Sequence, residues 1–124
     1  MRANPRATAD SFVVLTKATL RAAEQLGLSN AELAEVIGVS GATASRLKSG
    51  DRAISLNTKE GELALMLIRL FRSLDPLIGG DDGKRKNWMG SYNKALLGNP
   101  NQLIRKIDGL VRTLAYLDGM RAAT

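Results

Sequence analysis

A chain of 124 residues with no cysteine and no histidine has room for one compact domain or two very small ones sharing a core. It lacks the residues for a disulfide framework, thiolate chemistry or imidazole catalysis. Its 18 basic and 12 acidic side chains give a net charge of +6, split as +3 for residues 1–59 and +3 for residues 60–124, so an anionic partner is favoured but phosphate attraction is modest and salt-sensitive.

Residues 1–11 contain Arg2, Arg6 and Asp10 but no apolar stretch, which excludes a signal peptide and leaves a flexible N-terminal segment. Phe12, Val13, Leu15, Ala18, Leu20, Ala22, Ala23 and Leu26 then recur at helical spacing over about four turns, and Gly27 ends that helix. With only five aromatic residues, burial must rest on Leu, Ile, Val and Ala, which suits helix-on-helix packing.

Ser29 to Gly50 reads SNAELAEVIGVSGATASRLKSG, two short helices joined by a tight turn. Ser29 with Glu32 three residues later is a capping-box start. Gly38 stands where the turn needs a positive φ, which glycine adopts without steric cost. Leu33, Ala34, Ile37, Val39 and Leu47 fall where two crossing helices bury side chains, with Ala34 small at the crossing. The pattern is a helix-turn-helix, in which the start of the second helix enters the major groove of DNA. Ser40 caps that helix and leaves Gly41, Ala42, Thr43, Ser45 and Arg46 near the groove. Arginine facing guanine is the most discriminating contact available to it, while Lys48 and Arg52 are placed to meet phosphates. Such short side chains predict weak binding by one copy and a homodimer spanning two half-sites.

Asn57, three residues before Glu60, signals the cap of a further helix. Its stretch from Leu63 to Phe71 is apolar on most faces and therefore buried on most faces, as a spine joining the two halves or as a dimer seam. Leu63–Ile68, the longest apolar run, is too short to span a bilayer; a bacterial cytoplasmic protein is the simplest reading. Asp75-Pro76 and the stretch from Gly79 to Gly83 mark a loop. Lys84 to Leu97 reads as a helix with Trp88, Met89, Tyr92, Ala95 and Leu96 on one side and Gly98 as its C-cap. Asn99-Pro100 opens a short helix whose Leu103 and Ile104, with Ile107, face inward. Asp108-Gly109 interrupts the chain again, and Leu110, Val111, Leu114 and Leu117 stripe a last helix ending near Gly119. No strand, repeat or low-complexity tract is evident. The predicted fold is all-α, with a helix-turn-helix bundle over residues 12–73 and a small helical domain over 74–124.

Catalysis is not expected. Glu32 and Glu35 form a carboxylate pair on the outer face of a short helix with no histidine, cysteine or metal-ligand spacing beside them. The glycines at 79, 80 and 83 follow no strand, and two aspartates between them would repel phosphate. No cofactor or metal is predicted. Lys84-Arg85-Lys86, the densest charge cluster, reads as a solvated face, and Trp88 as a core anchor.

The first half resembles the Xre or Cro/C1-type helix-turn-helix of phage repressors and bacterial regulators. Trp88, the run NKALLGNP from Asn93 to Pro100, and Leu103, Ile107 and Gly109 resemble the C-terminal domain of the Xre/MbcA/ParS antitoxins. Gly41, Ala42 and Ala44 depart from that pattern, where longer polar or β-branched residues are common. The resemblance implies a type II antitoxin whose C-terminal domain blocks a RES-type toxin that consumes NAD⁺ and whose N-terminal domain represses its own operon. It further implies toxin contact through the C-terminal region, at Tyr116, Met120 and Arg121, with Trp88 as a further candidate. A stand-alone Xre-family repressor whose C-terminal half only dimerises is the alternative.

Overall fold

The computed structural model describes residues 5–123, with side chains from Ser11 to Ala123. The fold is all-α: α1 (Pro5–Gln25), α2 (Asn30–Ile37), α3 (Gly41–Ser49), α4 (Lys59–Leu74), α5 (Asp82–Gly90), α6 (Pro100–Leu103) and α7 (Ile107–Ala123), with a 3-10 turn at Asp75–Ile78 between α4 and α5. An isolated antiparallel bridge between Asn93 and Gly98 is the β-type pairing among the described residues.

The helix from Lys59 to Leu74 is the spine of the molecule. It packs against α1, α2 and α7, so its apolar surface is mainly intramolecular core, although Leu65 remains exposed. Leu67, Leu70 and Leu74 are fully buried in one hydrophobic cluster that also takes in Leu26 and Ile37 from the first half and Ile104, Leu110 and Leu117 from the second. Each such side chain contributes about 1.5–3 kcal/mol, so the two halves share a core and stabilise each other. The irregular segment before α4 is pinned from α1, where the Thr16 hydroxyl donates to the Phe12 carbonyl at 2.7 Å and accepts from the Ile54 amide at 2.8 Å.

Several boundaries differ from the sequence-based expectations, each for a local physical reason. The first helix begins at Pro5, ahead of the expected start near Phe12; Arg2 lies outside the described residues. Thr58, not Asn57, caps α4, its hydroxyl accepting from the Gly61 amide at 3.1 Å. The expected loop after Pro76 is shorter, because Asp81 caps α5 by accepting from Lys84 N at 2.8 Å.

That helix stops at Gly90 instead of running to Leu97. The Asn93 carboxamide accepts from the amides of Ala95 and Leu96 at 2.9 and 3.1 Å, and Asn99 Nδ2 donates to the Gly90 carbonyl at 2.7 Å. These side chain to backbone bonds hold a turn in competition with the helix. Tyr92 and Ala95 consequently face solvent while Leu96 is buried, and Gly98 closes the turn rather than capping a helix. Pro100 opens α6 as expected, with Asn99 as its N-cap. Gly109 does not interrupt the chain but lies inside α7, which also continues past Gly119. Of the residues expected to face inward, Ile104 is buried, whereas Ile107 and Val111 are exposed.

Candidate nucleic-acid interface

Local chemistry builds the two helices at residues 29–50. Ser29 Oγ accepts from the Glu32 amide at 3.1 Å while Glu32 Oε1 accepts from the Ser29 amide at 2.9 Å, a complete capping box. Gly38 ends α2 at φ 74, its amide donating to the Ala34 carbonyl. Ser40 then caps α3, its hydroxyl accepting from the Thr43 amide at 3.0 Å. Ala34 and Ala44 are buried at the crossing, with Leu33, Ile37 and Leu47 beneath; Val39 is half-buried.

The outer surface of α3 carries Gly41, Ala42, Ser45, Arg46 and Lys48, all exposed, with Ser40 at its start. Gly41 and Ala42 occupy the first turn, where backbone amides have no partner within the helix. Arg46 and Lys48 form no ion pair among the described residues. They sit in the last turn, where the helix dipole favours cations. Ser45 Oγ lies 3.5 Å from Asn30 Nδ2 of α2.

Two of the expected contacts are placed differently. Thr43 is buried, and its hydroxyl accepts from Ser40 Oγ and from Arg52 Nη1, both at 3.0 Å. Arg52 also pairs with Glu60 at 2.9 Å, so it braces the end of the motif against α4 with a side chain only partly exposed. Lys17 of α1, absent from the sequence-based set, lines a hollow of about 260 Å³ together with Lys48 and Arg52. It extends the basic flank of α3.

Residues 14–69 match the family model of the antitoxin Xre-like helix-turn-helix domain. The match spans the capping box, the turn at Gly38, α3 and most of the spine, and it supports an Xre-type antitoxin, a DNA-binding antitoxin or regulator. Domains of this Xre-like kind are typically non-enzymatic. No curated protein matches the chain. No helix among the described residues is long and apolar enough to cross a membrane.

Beyond the Xre-like region, Trp88 is half-buried against the common core. Tyr116 is half-buried and Met120 exposed on the last turns of α7. Arg121 is also exposed there, with Nη1 at 3.4 Å from Ser73 Oγ. Ser73 in turn donates to Asp118 at 3.0 Å, which pairs with Arg69 at 3.1 Å. The basic triplet at 84–86 is not a solvated face throughout, because Arg85 is buried. Its Nε and Nη2 donate to Asp75 Oδ1 at 3.0 and 2.6 Å, and its Nη1 to Gln25 and Asp82 at 3.1 and 3.0 Å. The guanidinium also lies 5.4 Å from the Phe71 ring centroid, so it ties α1, the 3-10 turn and α5 together.

Proposed function

We propose that this chain is the antitoxin of a type II toxin–antitoxin pair. Residues 74–124 bind and occlude the active site of a RES-type, NAD-consuming toxin, with Trp88, Tyr116, Met120 and Arg121 among the contacts. The helix-turn-helix represses the operon that encodes both proteins, acting in the bacterial cytoplasm as a homodimer on a two-fold operator. The observation that carries this reading is the match of residues 14–69 to an antitoxin Xre-like domain, rather than to helix-turn-helix proteins in general.

The mechanism on DNA follows from the side chains of α3. Ser40, Gly41, Ala42 and Ser45 are short, so the helix backbone approaches the groove closely and its first amides meet phosphate. Arg46 is the long donor that reaches a guanine edge, and Lys48, with Lys17, neutralises phosphates, while Arg52, paired with Glu60, holds the end of the motif in place. On the toxin, inhibition needs no chemistry from the antitoxin, only occupation of the cleft.

Co-expression with the adjacent gene, with only the neighbour tagged, tests the reading. A complex of defined mass by light scattering, with its NAD-consuming activity suppressed, is the expected result. A neighbour that elutes alone overturns the antitoxin reading in favour of a stand-alone repressor, whose binding to upstream DNA is then measured.

A further inference from the structure

One flank of the contact between α1 and α4 is left open as a hollow of about 450 Å³, a size within the range of small-ligand sites. The two helices line it with stripes of the same spacing. Ala18, Arg21, Ala22 and Gln25 come from α1. Ile68, Phe71, Arg72 and Asp75 come from α4 and its C-cap, and each set runs i, i+3, i+4, i+7 along one helix face. Ala18 and Ala22 are too small to fill the space, and buried Ile68 and half-buried Phe71 complete an apolar floor. Arg85 of α5 closes the hollow, donating to Gln25 Oε1 of one stripe at 3.1 Å and to Asp75 Oδ1 of the other at 2.6 Å.

The charges around this hollow do not balance. Arg85 and Asp75 cancel one another, and the Arg85 donors are already engaged by Asp75, Gln25, Asp82 and the Gly80 carbonyl. Asp82 is itself shared with Lys86. Arg21 and Arg72 stand exposed on the two banks, and neither forms an ion pair among the described residues. Two cations facing one opening repel each other unless an anion lies between them. Gln25 adds a neutral donor, because its carboxamide oxygen is turned to Arg85 and its NH₂ group remains to donate.

We infer that this hollow binds a small phosphate monoester, its phosphate held between Arg21 and Arg72 and its apolar body laid on Ala18, Ile68 and Phe71. A phosphate dianion matches two uncompensated cations, and the planar guanidinium presents paired N–H donors that suit phosphate oxygens. A monocarboxylate leaves one of the two cations unmatched. The phosphates of operator DNA are a poor source. The hollow beside α3 is lined from α1 by Val13, Thr16, Lys17 and Leu20, which helical spacing sets on the other flank of α1 from Ala18, Ala22 and Gln25. The inference is independent of the antitoxin reading.

Titrations of the full chain with phenyl phosphate, inorganic phosphate, succinate and benzoate, followed by amide NMR shifts and by melting temperature, test this. Phenyl phosphate is expected to bind tightest, to raise the melting temperature by linkage, and to shift resonances at residues 18–25 and 68–75. The double variant Arg21→Gln with Arg72→Gln changes only exposed side chains, so its melt without ligand is expected to match the parent chain. Its affinity for phenyl phosphate should fall roughly tenfold or more, with operator binding unchanged. Ala18→Leu, which fills the floor and leaves the charge alone, should also weaken phenyl phosphate. Parent-like binding in both variants, or shifts spread over the basic residues of α3 as well, overturns the site. Inorganic phosphate binding as tightly as phenyl phosphate removes the apolar floor from the reading, and succinate or benzoate binding as tightly removes the phosphate; either overturns the assignment. Loss of operator affinity in the arginine double variant gives those side chains to nucleic acid and overturns it too.

Discussion

Arg105 Nη2 lies 2.5 Å from Glu32 Oε2, which fastens the junction between α6 and α7 to the first helix of the DNA-binding motif. Glu35 Oε2 stands 3.9 Å from the same guanidinium. The pair that could have read as acid–base machinery is instead an anchor for the second half. Glu32 already serves the capping box, and the Ser29 backbone N–H is the chief cause holding its carboxyl below the ordinary value of 4.5; burial, the next largest effect, opposes it, and the Ser29 hydroxyl and Arg105 add smaller lowering effects.

A depressed carboxylate stabilises the fold above its ordinary pKa and loses that contribution as pH falls through the folded value. Glu32→Gln is therefore expected to lower stability by about 1 kcal/mol at pH 7. The gap to the parent chain should close as pH falls below 4.5 and the parent's own carboxyl protonates. Urea melts across that range measure it; a gap independent of pH would show that the Glu32 charge does not matter.

The two arginines of the motif are expected to separate. Arg46 is exposed and makes no ion pair among the described residues, so Arg46→Ala should leave the melting temperature unchanged and weaken operator binding by roughly 1–3 kcal/mol. Arg52 holds Thr43 and Glu60, so Arg52→Ala should also reduce stability, by up to about 1 kcal/mol. Fluorescence anisotropy on the upstream DNA beside thermal melts distinguishes them. Full DNA affinity in Arg46→Ala would remove α3 from the groove.

What the sequence made legible is what short-range chemistry decides. Ser29 with Glu32, Gly38, Ser40 and Asn99-Pro100 each declare a helix end from within four residues, and each holds its expected role. Thr43 could have been assigned to the core as well, since it precedes Ala44 and lies four before Leu47 on the buried side of α3. Arg85 could not, because its partners Gln25 and Asp75 are distant in the chain and only the packing of α1 against α5 unites them. The end of α5 was obscured because Trp88, Met89, Tyr92 and Leu96 keep helical spacing although Asn93 folds the backbone into a turn. For the site as a whole, the face of α3 was legible and the brace behind it was not.

Arg85 carries the largest expected effect among the charged residues. Its side chain is 4% exposed, while that of Asp75 is 35% exposed, so removing the cation leaves a carboxylate that water reaches only in part. Arg85→Met should cost about 2–3 kcal/mol, at or below the range for breaking a fully buried pair. Arg85→Lys should not restore it, because an ammonium cannot reproduce a planar fork shared by Asp75, Gln25, Asp82 and the Gly80 carbonyl. Denaturant midpoints of the two variants check this; a parent-like lysine variant would reduce the network to simple charge balance.

Gly109 and Gly119 lie in the same helix and are expected to respond to alanine with opposite sign. A Cβ at Gly109 would overlap the Leu103 carbonyl oxygen and fall 2.7 Å from its carbon. Both are backbone atoms fixed by the packing of α6 on α7, so no rotamer change relieves the overlap. Around Gly119 nothing lies within 4 Å, and alanine there gains up to about 1 kcal/mol of helix propensity. Gly109→Ala is expected to destabilise by about 2 kcal/mol or more through forced displacement of the junction, and with it to loosen the Arg105 to Glu32 tie. Gly119→Ala should raise the melting temperature. If Gly109→Ala melts with or above the parent chain, the close crossing at Leu103 is not what makes glycine necessary there.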